Sequence, residues 1–168
     1  MNLKQITNAL LYDEAMQMRG LIDKFAIDGR KMTEVEHKTL GQVGVLTLPG
    51  RPVEAVTGKI AIGHLDDEYD RAITNPGTTH DWQMHQKVDV SDENGLSFDK
   101  SHTIIWHAKW RFMSDDGMDT ELGEKAGIEY AITVPFLKVS RLGDATPIWF
   151  LDVWNDVFEI NGKRVWPD

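Results

Sequence analysis

The chain has 168 residues, 41% of them hydrophobic and 27% charged, and its formal net charge is −9 at pH 7. This length predicts a single domain over residues 1–168, with a core that needs neither a disulfide nor a metal. Because the chain contains no cysteine, a disulfide framework, a thiolate zinc site and a cysteine nucleophile are excluded. The acidic balance argues against a protein that grips the phosphates of nucleic acid. No apolar run approaches membrane-spanning length and no secretory signal is apparent, so we expect no membrane partner and a location in the cytoplasm or in a particle assembled there.

The first part of the chain predicts short strands and one helix. Strands are expected over residues 9–12, 20–27 and 56–62. A helical turn is expected as an alternative over 13–18. Residues 66–73 open with acidic side chains, which suit the positive end of a helix dipole, and Pro76 and Gly77 follow. We therefore expect one short α-helix there.

The segment 36–52 differs from the predicted strands around it. It contains Gly41, Gly44 and Gly50 and shows only modest alternation of apolar and polar residues. This pattern predicts an extended, flexible hairpin with too few apolar residues to anchor itself.

A period of two, which is typical of half-buried strands, dominates the second part of the chain. A strand is expected over 80–90 and another over 102–113. The apolar face of the latter holds Ile104, Trp106, Ala108, Trp110 and Phe112. Residues 127–139 alternate in the same way. The apolar face there holds Ile128, Tyr130, Ile132, Val134 and Phe136. Pro135 has no N–H to donate, so we expect a free edge or a bulge at this position.

The C-terminal part predicts one more strand and a closing hairpin. Residues 148–160 are rich in β-branched and aromatic side chains, and Asn161 and Gly162 then supply a two-residue turn before 163–166. The whole pattern amounts to roughly eight strands and one helix, which predicts a mainly β fold. The expected architecture is an antiparallel β-sandwich or barrel with one short flanking α-helix and a long projecting loop.

The sequence offers little support for catalysis or metal binding. The nearest histidine pairs, His80 with His85 and His102 with His107, are five apart, which places the two rings on opposite faces of a strand. The segment 114–124 holds five acids and no base, and their order does not fit an EF-hand, so we expect an acidic loop. A spatial pair of catalytic carboxylates stays open, but no nucleophile elbow, P-loop or dinucleotide motif occurs. We expect no catalytic residue, no cofactor and no metal.

The six tryptophans are the most unusual feature of the composition. Trp106 and Trp110 fall on the apolar face of a predicted strand and are expected in the core. Trp149 and Trp154 fall on opposite faces of the strand predicted over 148–160, so one of them must cover something outside the core. A sugar platform is one possibility. A subunit interface is favoured, because aromatic side chains are enriched there. The candidate interface residues are Trp149, Leu151 and Trp154.

Several segments also follow one another in a recognisable order. They are an opening strand at 8–13, the segment 24–27, a glycine-containing loop that ends in Pro52 and Val53, a strand that closes on Gly63 and His64, an acidic-start helix, the strand 130–139, a strand with Asp152 and Val153, and the closing segment 158–163. In this order and spacing, the chain resembles the major tail tube protein family of contractile-tailed phages over nearly its whole length. The abundance of tryptophan and histidine and the segment 14–18 depart from that resemblance.

The resemblance implies a structural protein that is not an enzyme, built from two antiparallel sheets and a flanking helix. It implies a homo-oligomer of hexameric rings stacked into a tube. The expected partners are the tail sheath protein, the baseplate and tail terminator proteins, and DNA that passes through the lumen without specific binding. The expected location is the tail tube of a virion, assembled in the host cytoplasm.

The resemblance also suggests roles for two segments. The glycine-containing segment is a candidate arm that reaches the next ring, through Glu36, Leu40, Gly41, Gly44, Leu46, Pro49 and Gly50. Acidic residues on the lumen wall would repel DNA and let it slide. The candidates are Asp115, Asp116, Asp119, Glu121 and Glu124, which alternatively face the sheath.

Two other functions remain open at the level of the sequence. One is a β-sandwich module that binds carbohydrate or protein through exposed tryptophan, which a fluorescence titration with glycans would detect. The other is the tube of a related tailocin or bacterial injection system, which shares the fold and the assembly.

Overall fold

The structure, a computed structural model, describes residues 2–16, 22–41, 43–63, 67–117, 122–123 and 127–166. Within these ranges lie eleven strands and one helix. The strands are β1 (Leu3–Tyr12), β2 (Ile22–Ile27), β3 (Met32–His37), β4 (Leu46–Val53), β5 (Thr57–Ile62), β6 (His80–Asp92), β7 (Gly95–Asp115), β8 (Ile128–Arg141), β9 (Trp149–Asp152), β10 (Val157–Ile160) and β11 (Lys163–Arg164). The helix is α1 (Asp67–Ile73). The fold is therefore mainly β and antiparallel, as the alternation predicted.

Nine of the strands form one sheet, and β8 is its branch point. In order of hydrogen bonding, the sheet runs β1-β6-β7-β8-β9-β10-β11. The first part of β8, residues 128–133, also pairs with β5, which in turn pairs with β2. The second part, residues 136–139, pairs with β9 instead. The edge of β8 that does not pair with β7 therefore carries two separate groups of strands. One is β5 with β2, and the other is β9 with β10 and β11.

The flap formed by β2 and β5 lies over β6 and β7, so the core is enclosed between two layers. Phe25 of β2 lies 5.8 Å from the ring of Trp82, and Trp82 meets Trp110 edge-to-face at 4.7 Å. Tyr69 of α1 stacks on Trp82 at 6.4 Å, which places the helix on the same core. The predicted sandwich is confirmed. No pairing among the described residues joins β1 to β2, so the sheet does not close into a barrel there.

The alternation along β8 reverses at Pro135. Before the proline the buried side chains are Tyr130, Ile132 and Val134, and after it they are Leu137 and Val139. The register with β7 shifts between Lys109 and Arg111, so the extra β8 residue lies where the proline lacks its N–H. The predicted bulge is confirmed. The prediction that Phe136 lies on the core face is wrong, because a bulge moves every later side chain to the opposite face.

The strand predicted over 148–160 is two strands. β9 ends at Asp152, a turn follows over 153–156, and β10 pairs back on β9 from Val157. Asp156 takes a positive φ of 52° in that turn. The buried carboxylate of Asp152 holds the turn by accepting hydrogen bonds from the backbone N–H of Trp154 at 3.0 Å and from Nδ2 of Asn155 at 2.6 Å. The closing hairpin from β10 to β11 is confirmed, with Asn161 at φ 51° in its turn.

The N-terminal strand is longer than its sequence pattern suggests. β1 starts at Leu3 rather than at Ala9, and its register against β6 shifts between Ile6 and Asn8. After β1 the N–H of Met16 donates to the carbonyl of Asp13 at 3.0 Å, which forms a single turn. The remainder of the segment 13–18 lies outside the described residues.

The helix and the glycine-containing segment follow their predictions more closely. The predicted helix is confirmed over Asp67–Ile73, and the hydroxyl of Tyr130 donates to the Asp70 carboxylate, which ties α1 to β8. Segment 36–52 lies in the β3–β4 hairpin, which forms a two-stranded sheet of its own. We call this hairpin, residues 32–53, the arm, and the rest of the described chain the body.

Candidate assembly surfaces

The arm exposes apolar side chains that its own chain does not cover. Leu40 and Val43 near its tip are fully exposed. The exposed apolar residues of the arm are Val35, Leu40, Val43, Val45, Leu46 and Leu48. Apolar surface of this kind, gathered on a projecting element, marks a binding surface for another protein.

The seven predicted contact residues all lie on the arm. Glu36 is in β3, Leu40, Gly41 and Gly44 lie between the strands, and Leu46, Pro49 and Gly50 are in β4. A side chain at Gly50 would meet the hydroxyl of Thr33, because the two strands approach closely at this position. Their contact with a neighbouring ring stays a prediction.

A second surface is the outer edge of β1, which the sequence reasoning missed in part. Among the described residues β1 pairs only with β6, so one side of this ten-residue strand carries unpaired backbone groups. Leu3 and Ile6 are exposed near this edge, at 60% and 55%. The first half of β1 shows no alternation of apolar and polar residues, because all side chains from Leu3 to Ala9 are exposed. A long uncovered edge is a template for pairing with another chain.

The hairpin of β6 and β7 continues past the core beside the start of β1. Val88 and Val90 are buried between these strands, whereas Phe98 is 79% exposed. Gly95 follows the turn at φ 108°, and the backbone N–H of Asn94 donates to Asp92 at 2.9 Å. This extension lies at the same end of the sheet as the start of β1, with β6 between β1 and β7.

The three predicted interface residues have different surroundings. Trp149 and Leu151 are buried, at 8% and 4% exposure, in the core of the chain itself. Trp154 lies in the turn after β9 and is 71% exposed, with the guanidinium of Arg111 at 5.6 Å from its ring. The opposite-face argument was wrong in its geometry, because the strand ends before Trp154. Of the three, Trp154 is the side chain that a partner can reach.

The described acidic candidates lie at the end of β7. Asp115 and Asp116 are exposed, and the backbone N–H of Asp116 donates to the carbonyl of Glu129 at 3.2 Å. Asp119, Glu121 and Glu124 lie outside the described residues. Burial first, then the hydrogen bond to Asp70 and the charges of Asp70 and Asp115, raise the pKa of Tyr130. The charge of Asp115 is the smallest of these causes, so the pKa of Tyr130 is set mainly by burial and by Asp70.

One ion pair lies next to these acids. Lys59 Nζ donates to Glu129 Oε1 at 2.7 Å on the exposed face of β5 and β8. This hydrogen bond is the main cause that raises the pKa of Lys59 and lowers the pKa of Glu129. Because both groups are solvent-exposed, the pair is weak support for the fold.

Three of the histidines make contacts with neighbouring side chains of the sheet. His80 lies on the core face, stacked on Trp110 at 4.5 Å, and its Nδ1 is 3.1 Å from Glu14 Oε1. His85 lies on the other face of β6 beside Tyr12, and burial lowers its pKa. His107 pairs with Asp81. Within the described ranges, no group of three or more acidic or histidine side chains is arranged to hold a metal ion.

A match to a family model identifies the kind of protein that carries these surfaces. The model of the family "Phage tail tube protein FII" matches residues 3–166, which is nearly the whole chain. The chain belongs to this tail tube family. Its members are structural proteins, which confirms that the chain is a tail tube subunit and not an enzyme. Tail tube proteins are components of phage tails, and the predicted resemblance is confirmed.

Solved structures support the same fold. The sheath–tube complex of an extracellular contractile injection system, PVC, in its extended state contains a chain with a TM-score of 0.51 and 9% identity. The match covers 82% of this chain and 91% of that one. The sheath/tube terminator structure of the same system matches with a TM-score of 0.50 and 8% identity, over 81% of this chain and 95% of that one. Comparison with curated protein sequences returns no match.

No helix in the described part of the chain has the length and apolar character needed to cross a bilayer.

Proposed function

We propose that this tail tube subunit forms hexameric rings that stack into a tube whose lumen conducts DNA during ejection. The observation that carries the proposal is the arm, whose six apolar side chains are exposed in the isolated chain. Such an arm gains a cover when it lies on a subunit of the next ring, and burial of its apolar surface then favours stacking.

The edge of β1 supports ring closure. A head-to-tail contact, in which the edge of one subunit meets a different surface of its neighbour, closes a ring if the rotation is right. Pairing through β1 would hide a row of backbone donors and acceptors that otherwise invites aggregation. The exposed side chains of Leu3 and Ile6 on β1 add apolar area to this contact.

The charge of the chain supports passive conduction of DNA. With a net charge of −9, a ring of several copies repels phosphate, so a genome slides without adhering. The acids that face the lumen are drawn from Asp115, Asp116, Asp119, Glu121 and Glu124, and those that do not face it are directed to the sheath. Specific binding of DNA is not part of the proposal.

The proposed partners are the proteins that surround a tail tube and those that lie at its two ends. We propose a tail sheath protein around the tube, and baseplate and tail terminator proteins at its ends, with assembly in the host cytoplasm before the virion is complete. The chain 1–168 acts as one domain in this assembly. Trp154, exposed on the body, is a candidate contact with a neighbouring subunit or with the sheath.

Electron microscopy of concentrated protein tests the assembly directly. We expect rings or tubes in negative stain. Removing residues 41–50 is expected to leave the circular dichroism of the body unchanged and to stop rings from stacking. Leu40→Asp and Val43→Asp together are a milder version, and Leu122→Asp is the matched control, since Leu122 is also exposed but is not on the arm. Tube growth that persists without the arm refutes its role, and a chain that stays monomeric at millimolar concentration refutes the ring.

A second candidate function is the tube of a contractile injection system that carries no genome. The observation that favours it is the fold likeness to a chain of the PVC sheath–tube complex. Purified particles distinguish the two, because a phage tail is attached to a DNA-filled capsid and an injection system is not.

A further inference from the structure

The arm leaves the body next to the C-terminal hairpin, by which we mean residues 149–166. On each side of the base of the arm, one arginine lies over an aromatic ring of that hairpin. Arg30, which precedes β3, has its Cζ 3.9 Å from the centroid of the Trp149 ring and 5.9 Å from that of Phe158. Arg51, in β4, has its Cζ 5.8 Å from the ring of Trp166. Both distances to the nearer rings are within the range of cation–π attraction.

The base of the arm behaves as one unit. The backbone N–H of Glu54 donates to the carbonyl of Lys31 at 2.7 Å, and Met32 pairs with Val53. Lys31 Nζ also lies 3.5 Å from Glu54 Oε1. Arg30 lies just before β3, and Arg51 lies in the irregular stretch of β4 between Pro49 and Val53, so both are at the base of the arm.

Direct packing does not fill the space between the arm and the hairpin. A cleft of about 380 Å³ lies there, bordered by Arg51 and Val53 on the arm and by Val157, Phe158 and Trp166 on the hairpin. Since the cleft leaves a gap, apolar packing alone does not determine how far apart the two elements lie. The ring contacts at the border of the cleft bridge that gap.

We propose that the C-terminal hairpin is a clamp that sets the direction of the arm, with Arg30 on Trp149 as the main contact and Arg51 on Trp166 as the second. Trp149 is buried in the body, so it offers a fixed surface to Arg30. The planar guanidinium suits this geometry better than an ammonium group, because it stacks on a ring face. Arg30 and Arg51 are positioning residues, and neither is required to touch another subunit.

Differences in burial support the ranking of the Arg30 contact as stronger than the Arg51 contact. Partial burial lowers the pKa of the Arg30 guanidinium, which indicates that water is partly removed around it. Cation–π attraction grows when the cation is desolvated. Trp166, at 39% exposure, offers Arg51 a wetter surface, so its contact is the weaker one.

Distances between spin labels test the clamp in the full chain. Because the chain has no cysteine, Thr47→Cys on the arm and Ala72→Cys on α1 give one labelled pair. Pulsed electron spin resonance on the monomer is expected to give a narrow distance distribution. With Arg30→Met and Arg51→Met together, we expect a distribution at least about twice as wide, with Arg30→Met alone causing most of the change. Lys38→Met is the matched control, since this lysine lies on the arm away from the aromatic rings, and its distribution is expected to stay narrow.

The outcomes separate a clamp from a general loss of structure. Arg30→Lys keeps the charge and is expected to give an intermediate width. An unchanged width in the double variant overturns the proposal. If near-ultraviolet circular dichroism shows that the double variant has lost its core, Arg30→Lys decides, because it keeps the charge and removes only the planar group that stacks on Trp149. A wider distribution in Arg30→Lys than in the parent chain supports the clamp, and an unchanged one overturns it.

The clamp is a property of the single subunit. Its part in orienting the arm for the stacking of rings rests on the proposed function. Microscopy of the same samples keeps the two proposals apart. A narrow distribution in a chain that forms no rings would remove the proposed assembly and leave the clamp in place. Rings that form equally well from the clamp variants, with widened distributions, would show that the direction of the arm does not limit stacking.

Discussion

Two antiparallel hairpins of this chain differ in whether their apolar side chains are covered by the rest of the chain. In the β6–β7 hairpin, Trp82 and Trp110 are at most 2% exposed and lie beneath the β2–β5 flap. In the β3–β4 arm, Leu46 and Leu48 alternate along a strand in the same way and are about half exposed. Alternation therefore predicts a strand in both cases. It does not predict whether the second layer comes from the same chain.

The body has its buried core within the single subunit, whereas the apolar side chains of the arm are exposed there. In the proposed tube, a neighbouring subunit would cover them.

The largest expected contrast comes from deleting one apolar side chain in each hairpin. Trp110→Ala removes a buried ring from the core and is expected to lower the free energy of unfolding by about 3–5 kcal/mol. Leu48→Ala is expected to change it by less than about 0.5 kcal/mol, because the side chain is exposed. Urea denaturation of the unassembled subunit measures both. A cost above about 2 kcal/mol for Leu48→Ala would show that the arm packs within its own subunit.

The next contrast uses one glycine from each region. A Cβ at Gly58 in β5 would lie 2.5 Å from the backbone carbonyl oxygen of Ala26, so Gly58→Ala is expected to destabilise the whole subunit by about 1–3 kcal/mol. A Cβ at Gly50 meets chiefly the Thr33 side chain, so Gly50→Ala should disturb the arm and leave the melting temperature of the body unchanged. Combining it with Thr33→Ala should restore the arm. Equal melting temperatures for Gly58→Ala and the parent chain would contradict this account.

Hydrogen exchange gives a third and more local contrast. We expect amides of β7 and β8 to exchange only through global unfolding, and amides of β3 and β4 to exchange far faster in the unassembled subunit. On assembly, the arm amides should become protected while those of the body change little. Mass spectrometry of peptides covering 32–53 and 104–139 measures this. Full protection of the arm in the monomer would remove the distinction between the two regions.

The smallest expected effect concerns the surface pair Lys59–Glu129 on the body. The pKa of Glu129 is lowered, so its contribution is present above the ordinary pKa of glutamate and is lost as pH falls through the lowered value. The pKa of Lys59 is raised, so its contribution is present below the ordinary pKa of lysine and is lost as pH rises through the raised value. Lys59→Met is expected to move the pKa of Glu129 upward in a nuclear magnetic resonance titration. An unmoved pKa would mean that the pair does not form in solution.

The body was predictable from the sequence where alternation is long and unbroken. β7 and the helix followed directly from the apolar face of residues 104–112 and from the acids before Ile73. Alternation failed in two places for different reasons. The first half of β1 is exposed on both faces and so carries no apolar alternation, and at Pro135 a bulge turned Phe136 outward, although a free edge or a bulge was predicted there.

The C-terminal turn and the assembly surfaces were harder to predict for other reasons. The turn at 153–156 contains neither glycine nor proline, and it is held by the buried Asp152 carboxylate, which is a tertiary feature. The buried positions of Trp149 and Leu151 depend on that turn, because it ends the strand before Trp154. The arm was placed correctly by its glycines, but its link to the C-terminal hairpin joins residues more than a hundred positions apart, such as Arg30 and Trp149.

The division of the tryptophans between core and surface gives this subunit an intrinsic optical readout. Trp82 and Trp110 are shielded from solvent, so their emission is expected at short wavelength and reports the folding of the body. Trp154 and Trp166 remain accessible to a soluble quencher such as iodide or acrylamide. Quenching measured during assembly can then distinguish a subunit that has entered a tube from one that has only folded, without any added dye.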